Sequence, residues 1–278
     1  MLRDGDSGDW IGSFLGHKGA VWSARVDVRS RTLCATGSGD FTAKLWCASS
    51  GKELVELRHR HIVRSVDFSP DTEQLATGCQ DGVLRVFRTA QPDKEPMEIS
   101  SGSKESIIKA AWADEGSVLI VGRRSGQLEL IDIRCANALV HSRDLDSASV
   151  MDLELSPRHG FAMVACGKAV SFVGLSDLVV SRQFQMPDAM HFKEEGGVSL
   201  HPSGERFMAG ASDLWLREFD ARSGAVLSVF KGHHGPIRCV RYHPGGRVVA
   251  SGSEDGTIRL WDIAERPTNE ESGLGEGA

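Results

Sequence analysis

Three residue types that serve nucleophilic catalysis occur together in the last part of this 278-residue chain, as His233, Ser251 and Asp255. In hydrolases a histidine takes the proton of a serine hydroxyl while a carboxylate orients the imidazole. The same types recur in the first part of the chain, at nearly the same spacing, as His17, Thr36 and Asp40. A catalytic group seldom repeats within one chain, whereas a structural group in a repeat must. We therefore predict a structural role for both sets, no enzymatic activity and no small-molecule substrate.

The repetition extends along the whole chain. Positions equivalent to the histidine fall at 17, 59, 103, 146, 191 and 233, in steps of 42 to 45 residues. A period of this length, with Gly-His near the start and Trp-Asp near the end of the best copies, matches the four-stranded blade of a WD40 propeller. Short runs such as Val63–Phe68 and Val83–Phe87 are rich in β-branched and aromatic residues and are separated by turn sequences. The sequence predicts an all-β fold, a WD40 propeller with six recognisable blades.

The WD40 repeat places its histidine before the innermost strand, its hydroxyl on the second strand, its aspartate in the next turn and its tryptophan on the third strand. These groups can form one buried hydrogen-bond chain in which each polar group has a partner. We call this chain the polar clasp. Its predicted members are His17, Thr36, Asp40 and Trp46 in the first copy, His59, Thr77 and Asp81 in the second, where Phe87 replaces the tryptophan, and His233, Ser251, Asp255 and Trp261 in the last.

The three middle copies have lost most of the clasp residues. The substituting residues are Ser103, Ser125 and Ile131 in the third copy, Asp146 and Lys168 in the fourth, and Phe219 in the fifth, which keeps Asp213. His191 occupies the histidine position of the fifth copy, but the residues after it lack the usual pattern. We expect these blades to depend mainly on apolar packing.

Two alternatives remain for the way in which the ring closes. Residues 7–14 resemble the outer strand that precedes a Gly-His loop, and the last copy ends after its third strand at Ile263. Six blades could therefore close by strand exchange, which removes exposed sheet edges. Leu2-Arg3, however, resembles the close of a third strand, which favours a propeller whose first blade is missing from this chain. We assign residues 1–263 to the propeller and the acidic, Gly-rich residues 264–278 to a disordered tail.

Composition narrows the function classes. The six cysteines form no C-x-x-C pair or zinc spacing, so we expect reduced thiols, no metal site and no cofactor. No apolar stretch approaches the roughly 18 residues that span a bilayer, so we expect no membrane insertion and an intracellular location. The net charge of −6 disfavours a broad phosphate-binding surface, although a local basic patch remains compatible with it.

Basic and aromatic residues concentrate in loops that the repeat alignment places at one end of the ring. Loops on a rigid scaffold are where binding concentrates, so we predict a protein-binding face there, with RNA contact indirect or weak. The candidate residues of this face are Lys18, Trp22, Arg60, His61, Lys104, Arg123, Arg124 and His234.

Several segments resemble the serine-threonine kinase receptor-associated protein family, also called unrip. They include DFTAKLW at 40–46, HIVRSVDFSPD at 61–71 and KGHHGPIRCVRYHPGG at 231–246. The resemblance implies a seven-bladed adaptor that binds the survival-of-motor-neuron complex, with Gemin-like components, in spliceosomal snRNP assembly, mRNA processing and mRNA splicing. It also implies a role in TGF-β receptor signalling, with receptor kinases as partners.

A second family is the alternative. The propeller subunit I of eukaryotic translation initiation factor three shares segments similar to GHKGAVW at 16–22 and GHHGPI at 232–237. That subunit resembles a longer insertion where this chain runs directly from Asp220 to Gly232. The short connection favours the receptor-associated family.

Overall fold

The computed structural model describes residues 1–114, 116–135, 138–146, 148–192 and 196–263. Within these ranges the chain forms strands and one short 3₁₀ turn, Pro157–His159, so the predicted all-β propeller is confirmed. The predicted tail at 264–278 lies outside the described residues.

Six antiparallel sheets follow one another along the chain, and each is a blade in which neighbouring strands are also consecutive in sequence. A two-stranded sheet of β1 (Leu2–Arg3) and β2 (Trp10–Gly12) precedes them. Blade one contains β3 (Val21–Val26), β4 (Leu33–Ser38), β5 (Thr42–Cys47) and β6 (Glu53–Arg58); blade two contains β7 (Val63–Phe68), β8 (Gln74–Cys79), β9 (Leu84–Arg88) and β10 (Met97–Ile99); blade three contains β11 (Ile107–Trp112), β12 (Val118–Arg123), β13 (Gln127–Asp132) and β14 (Leu139–Asp144). Blade four contains β15 (Val150–Ser156), β16 (Phe161–Cys166), β17 (Ala169–Gly174) and β18 (Val180–Gln185); blade five contains β19 (Gly197–Leu200), β20 (Arg206–Gly210), β21 (Leu216–Asp220) and β22 (Val226–Phe230); blade six contains β23 (Ile237–Tyr242), β24 (Val248–Ser253) and β25 (Ile258–Asp262).

The first strand of each blade lies innermost and packs against the first strand of the next blade, from β3 through β7, β11, β15 and β19 to β23. Apolar side chains fill the space between adjacent blades. Between blades four and five the Phe172 and Phe207 rings meet at 5.7 Å, and within blade five the Phe207 and Phe219 rings stack at 5.0 Å. All three rings are buried, so this aromatic cluster contributes to the stability of two blades that lack the complete clasp.

An innermost strand exposes one edge of backbone N–H groups, and each buried N–H needs an acceptor. Side chains of the preceding blade supply many of these acceptors. Ser65 Oγ of blade two accepts the Ala110 N–H of blade three at 3.0 Å. The same contact between other blades joins Ser23 to Val66 at 3.2 Å, Asp67 to Trp112 at 3.0 Å, Asp152 to Val198 at 3.0 Å, Glu154 to Leu200 at 2.8 Å and Ser199 to Tyr242 at 2.9 Å. The short polar residues of the inner strands therefore join the blades to one another.

Blades five and six approach most closely at Gly197. A Cβ atom there would lie 2.5 Å from the Val240 nitrogen, which no side chain could tolerate. Glycine is therefore required at this position because β19 and β23 come together backbone to backbone.

An ion cluster around the buried Asp152 carboxylate crosses the central channel. Asp152 of blade four accepts two hydrogen bonds from Arg241 of blade six, at 2.7 and 3.0 Å, and lies 3.2 Å from Lys109 Nζ of blade three. Burial alone would raise the pKa of the Asp152 carboxyl, but the two positive charges outweigh it and hold that pKa far below its usual range. The carboxylate therefore stays ionised and ties three blades across the axis.

The first alternative, in which six blades close the ring by strand exchange, is wrong for this structure. β2 pairs with β1 in an antiparallel register of Leu2 with Gly12, whereas β25 pairs only with β24 among the described residues. Leu2–Arg3 thus behaves as a third strand and β2 as a fourth, as the alternative interpretation predicted. Strand β3 of blade one is exposed to solvent on one face. Val21 and Val26 on this strand are 51% and 42% exposed, whereas Val63, which is equivalent to Val21, is fully buried in blade two.

Replacing Ser65 by Ala tests the joints between blades. The substitution removes the acceptor of the Ala110 N–H and leaves a buried donor unpaired, so we expect the free energy of unfolding to fall by about 1–2 kcal/mol. Urea denaturation measures the loss. Ser142→Ala, on the exposed strand β14, is the matched control and should leave stability unchanged. Equal effects of the two substitutions would contradict the proposed joint.

Candidate functional site

The polar clasp is complete in blade one. His17 Nδ1 lies 2.8 Å from Asp40 Oδ2, and His17 Nε2 lies 2.7 Å from Thr36 Oγ1. Trp46 Nε1 donates to the same Thr36 oxygen at 2.8 Å. Blade six repeats the arrangement: His233 lies 3.0 Å from Asp255 and 2.7 Å from Ser251, which accepts from Trp261 at 2.8 Å.

Each complete clasp has a fifth member that the sequence interpretation missed. Thr42 Oγ1 donates to Asp40 Oδ1 at 2.7 Å, and Thr257 Oγ1 donates to Asp255 Oδ1 at 2.6 Å. In both blades this threonine stands two residues after the aspartate, a signal that the sequence carries. The aspartate also accepts a backbone N–H from the residue after the histidine, Lys18 in blade one, at 2.8 Å. The clasp therefore fixes the histidine loop and the aspartate turn to each other.

Hydrogen bonding keeps both clasp carboxyls ionised. Burial alone would raise the pKa of Asp40, but bonds from Thr42, from the Lys18 N–H and from His17 hold that pKa well below its usual range. At Asp255 the Thr257 hydroxyl is the largest of the causes that lower the pKa. A carboxylate that accepts several hydrogen bonds is stabilised in its charged form.

Blade two departs from the predicted clasp. His59 Nε2 does lie 2.9 Å from Thr77 Oγ1, but His59 Nδ1 faces the Leu57 carbonyl at 3.0 Å instead of Asp81. Asp81 Oδ2 accepts from Arg85 Nη2 at 2.9 Å. The assignment of Asp81 to the clasp is therefore wrong: the buried Arg85 guanidinium attracts the carboxylate more strongly than a neutral imidazole can.

The assignment of Arg123 to an exposed partner face is also wrong. Its side chain is 1% exposed, and its guanidinium donates to Glu129 Oε2 at 2.7 Å and to the Glu105 carbonyl at 2.6 Å. Blade five holds a related ion pair between Arg217 and Asp213. The blades without a complete clasp therefore do not depend on apolar packing alone. In blades two, three and five a buried Arg–carboxylate pair takes the place of the clasp.

The histidine loops and the aspartate turns lie at the same end of the ring. Backbone bonds join them in blade after blade: Gly39 N–H to Ala20, Gln80 to Ile62, Arg124 to Ser106 and Glu254 to Pro236, at 2.8 to 3.0 Å. At the centre of this end lies a cavity of about 250 Å³ formed by blades one, two, three, four and six. We call it the channel mouth. Its lining residues are Trp22, Arg64, Gln80, Ile108, Arg124, Ser149, Met151 and Arg238.

Only two of the predicted face residues, Trp22 and Arg124, line the channel mouth. Lys18 lines a separate cleft between blades one and two, and His61 packs on Phe41 with ring centroids 5.3 Å apart. Arg60, Lys104 and His234 are exposed on loops outside the mouth.

The sequence interpretation missed Arg64 and Arg238, which stand on inner strands and not in loops. Arg64 lies over the Trp22 ring with its Cζ 3.9 Å from the ring centroid. Burial, together with the charges of Arg124 and Arg238, lowers the pKa of Arg64. The sequence does carry a signal for these two residues. Trp22, Arg64 and Arg238 are each the second residue of an inner strand, so the blade repeat places all three at equivalent positions.

Among the described residues, no group of three His, Cys, Asp or Glu side chains could hold a metal ion. No helix in that part of the chain is long and apolar enough to cross a membrane.

Comparison with known proteins agrees with the fold. Residues 8–47, 51–88 and 224–262 match the WD domain, G-beta repeat family. The chain is 41% identical over 262 residues to the serine-threonine kinase receptor-associated protein of Gallus gallus, covering 94% of this chain and 72% of that protein. It is 35% identical to the protein of that name from Dictyostelium discoideum, covering 86% of it. Subunit I of eukaryotic translation initiation factor 3 from Caenorhabditis elegans is more distant, at 29% identity over 288 residues and 85% of its length.

Thr36→Val and Thr77→Val form a matched pair that tests the clasp. Both replace a buried hydroxyl by a methyl group. The Thr36 hydroxyl is hydrogen-bonded to both the His17 imidazole and the Trp46 indole N–H. The Thr77 hydroxyl is bonded to the His59 imidazole, and Phe87 stands where an indole would be, so Thr36→Val should be the more destabilising. We expect losses of about 2–3 and about 1–2 kcal/mol in the free energy of unfolding, measured by urea denaturation. A larger loss at Thr77 would contradict the indole's part in the clasp.

His59 should make stability depend on pH. Burial lowers its pKa from 6.5 to about 4. Between these values the unfolded imidazole binds a proton and the folded one does not, so stability is lost as the pH falls from about 6.5 towards 4, by up to about 3 kcal/mol. Urea denaturation at a series of pH values measures this slope. His59→Gln should flatten it, whereas the exposed control His141→Gln should not; equal slopes in all three proteins would refute the prediction.

Proposed function

This chain belongs to the serine-threonine kinase receptor-associated protein family, and from that premise we propose that it is a non-catalytic adaptor that binds partner proteins at the loop end of its ring. The observation that carries the proposal is the channel mouth. Five blades contribute to it, and it presents an aromatic ring and three guanidinium groups. Concave sites with a few convergent polar groups on a rigid scaffold are typical binding sites.

The clasp geometry supports a non-catalytic role. Ser251 is 1% exposed and its hydroxyl is already shared between His233 and Trp261. A nucleophile needs space for a substrate carbonyl beside the hydroxyl, with oxyanion donors close by. The side chain of His233 is itself fully buried. The His-Ser-Asp set therefore serves the loops and not a reaction.

The finer function follows from the family. We propose survival-of-motor-neuron complex proteins and Gemin-like components as partners, within spliceosomal snRNP assembly and mRNA splicing in the cytoplasm and the nucleus. Receptor kinases are the second class of proposed partner, because the relatives are named for their association with a serine-threonine kinase receptor. RNA contact in this proposal is indirect.

Association with translation initiation complexes is the competing function. The identity of 41% to the receptor-associated proteins against 29% to the initiation subunit supports our proposal over it. Sedimentation through a ribosome gradient separates the two, because an initiation subunit should co-migrate with the other initiation subunits.

Trp22→Ala tests the adaptor function. We expect affinity purification from native extract, followed by mass spectrometry, to recover survival-of-motor-neuron or Gemin-like components with the wild-type protein. Loss of a large aromatic anchor typically costs an interface about 2 kcal/mol or more, so Trp22→Ala should lower that recovery several-fold. Trp10→Ala removes a more exposed tryptophan, at 63%, from the outer strand β2 and is the matched control. Equal recovery with the two variants, both of them folded by thermal unfolding, would refute a partner site at the channel mouth.

A further inference from the structure

The channel mouth carries positive charge that the described residues do not neutralise. Arg238 pairs with Glu254, but no carboxylate lies within ion-pair distance of the Arg64 or Arg124 side chain in the described ranges. The charged groups that act on Arg64 are Arg124 and Arg238, both positive. Like charges held together in a partly buried cavity cost free energy, and the binding of an anion would recover it.

The interior of the channel contrasts with its mouth. In the interior, Lys109 and Arg241 both pair with Asp152, and Arg25 pairs with Asp67 at 3.2 Å. Each of these three basic groups is thus matched by a carboxylate within the ring. Among the described inner-strand residues named here, the guanidinium group without a carboxylate partner, that of Arg64, lies where the channel opens.

The shape of the mouth indicates the size of the anion. Its volume of about 250 Å³ fits one side chain and its neighbouring backbone. Ile108 and Met151 provide an apolar wall, and no described residue donates a hydrogen bond to the buried Gln80 Oε1. That oxygen could accept a peptide N–H, while the guanidinium groups donate to the anion.

We propose that the channel mouth binds a phosphorylated side chain in a segment of a partner protein. A phosphate monoester carries about two negative charges and three acceptor oxygens, which match two unpaired guanidinium groups better than one carboxylate does. The proposal deepens the adaptor function and rests on it, because it names the chemistry of the partner at the same site.

RNA fits the mouth less well. Single-stranded RNA is bound by stacking of its bases on aromatic side chains. The face of Trp22 is already covered by the Arg64 guanidinium at 3.9 Å. The net charge of −6 also opposes a phosphate backbone that extends beyond the mouth.

Fluorescent peptide pools test the proposal on the full chain. Each pool has a fixed central phosphoserine, serine or glutamate between degenerate flanks, and anisotropy is measured at physiological salt. We expect the phosphoserine pool to bind about tenfold or more tightly than the other two, and Arg124→Gln to remove that preference. Arg134→Gln is the control, since Arg134 is 68% exposed at the opposite end of the ring. Equal binding of the phosphoserine and glutamate pools, or equal effects of the two substitutions, would overturn the proposal.

Two further measurements separate this inference from the adaptor function. If phosphatase treatment of the extract leaves the captured proteins unchanged while Trp22→Ala still removes them, the adaptor function stands and the phosphate inference fails. If an oligouridine 12-mer binds with an Arg124-dependent affinity above that of the phosphoserine pool, the mouth is a nucleic-acid site and the inference also fails. Loss of the captured proteins both on phosphatase treatment and with Arg124→Gln supports it.

Discussion

The propeller depends on satisfying the backbone of its inner strands. Each inner strand has one partner strand in its own blade, so its other edge must find acceptors in a place from which the neighbouring blades exclude much of the water. Short side chains of the preceding blade, such as Ser65 and Asp67, accept those N–H groups. Where blades five and six meet, Ser199 accepts the Tyr242 N–H in the same way, and Gly197 lets the two backbones come close together. Because an unpaired buried N–H costs more than a typical hydrogen bond gains, these contacts favour the observed packing of each inner strand on the next.

A second constraint acts at the loop end, where the histidine loop and the aspartate turn must be held to each other. The chain meets it in two ways. Blades one and six use the polar clasp, in which an imidazole joins a carboxylate to a hydroxyl. Blades two, three and five instead hold a buried guanidinium that is paired with a carboxylate, as at Arg85 and Asp81. In blade three this guanidinium, from Arg123, also donates to the Glu105 carbonyl in the loop that corresponds to the histidine loop.

The sequence predicted the parts of the fold that repeat. The spacing of His17 and Asp40 identified the blade, and the loss of the clasp residues identified the blades that differ. The sequence could not show that Asp81 pairs with Arg85 and not with His59, because the choice between these two partners depends on distances across a turn. Arg123 was misplaced for a similar reason: it ends a strand, and its neighbour Glu129 is buried opposite it. Arg64 was missed because an inner-strand residue faces the mouth only once the strands surround the channel.

The distribution of charge along the channel links fold to function. Burying a charge is costly unless it is paired, and within the channel Asp152 bonds to Arg241 and Lys109 so that the inner strands hold together. At the mouth Arg64 and Arg238 also stand on inner strands, yet Arg64 lies over a tryptophan face and near other arginines. A neutral residue, Ile108, occupies the equivalent position in blade three, so an inner strand of this fold can carry an uncharged side chain there. Arg64 has no carboxylate partner among the described residues and lies where the channel opens, and this is the observation behind our proposal that its partner lies on another molecule.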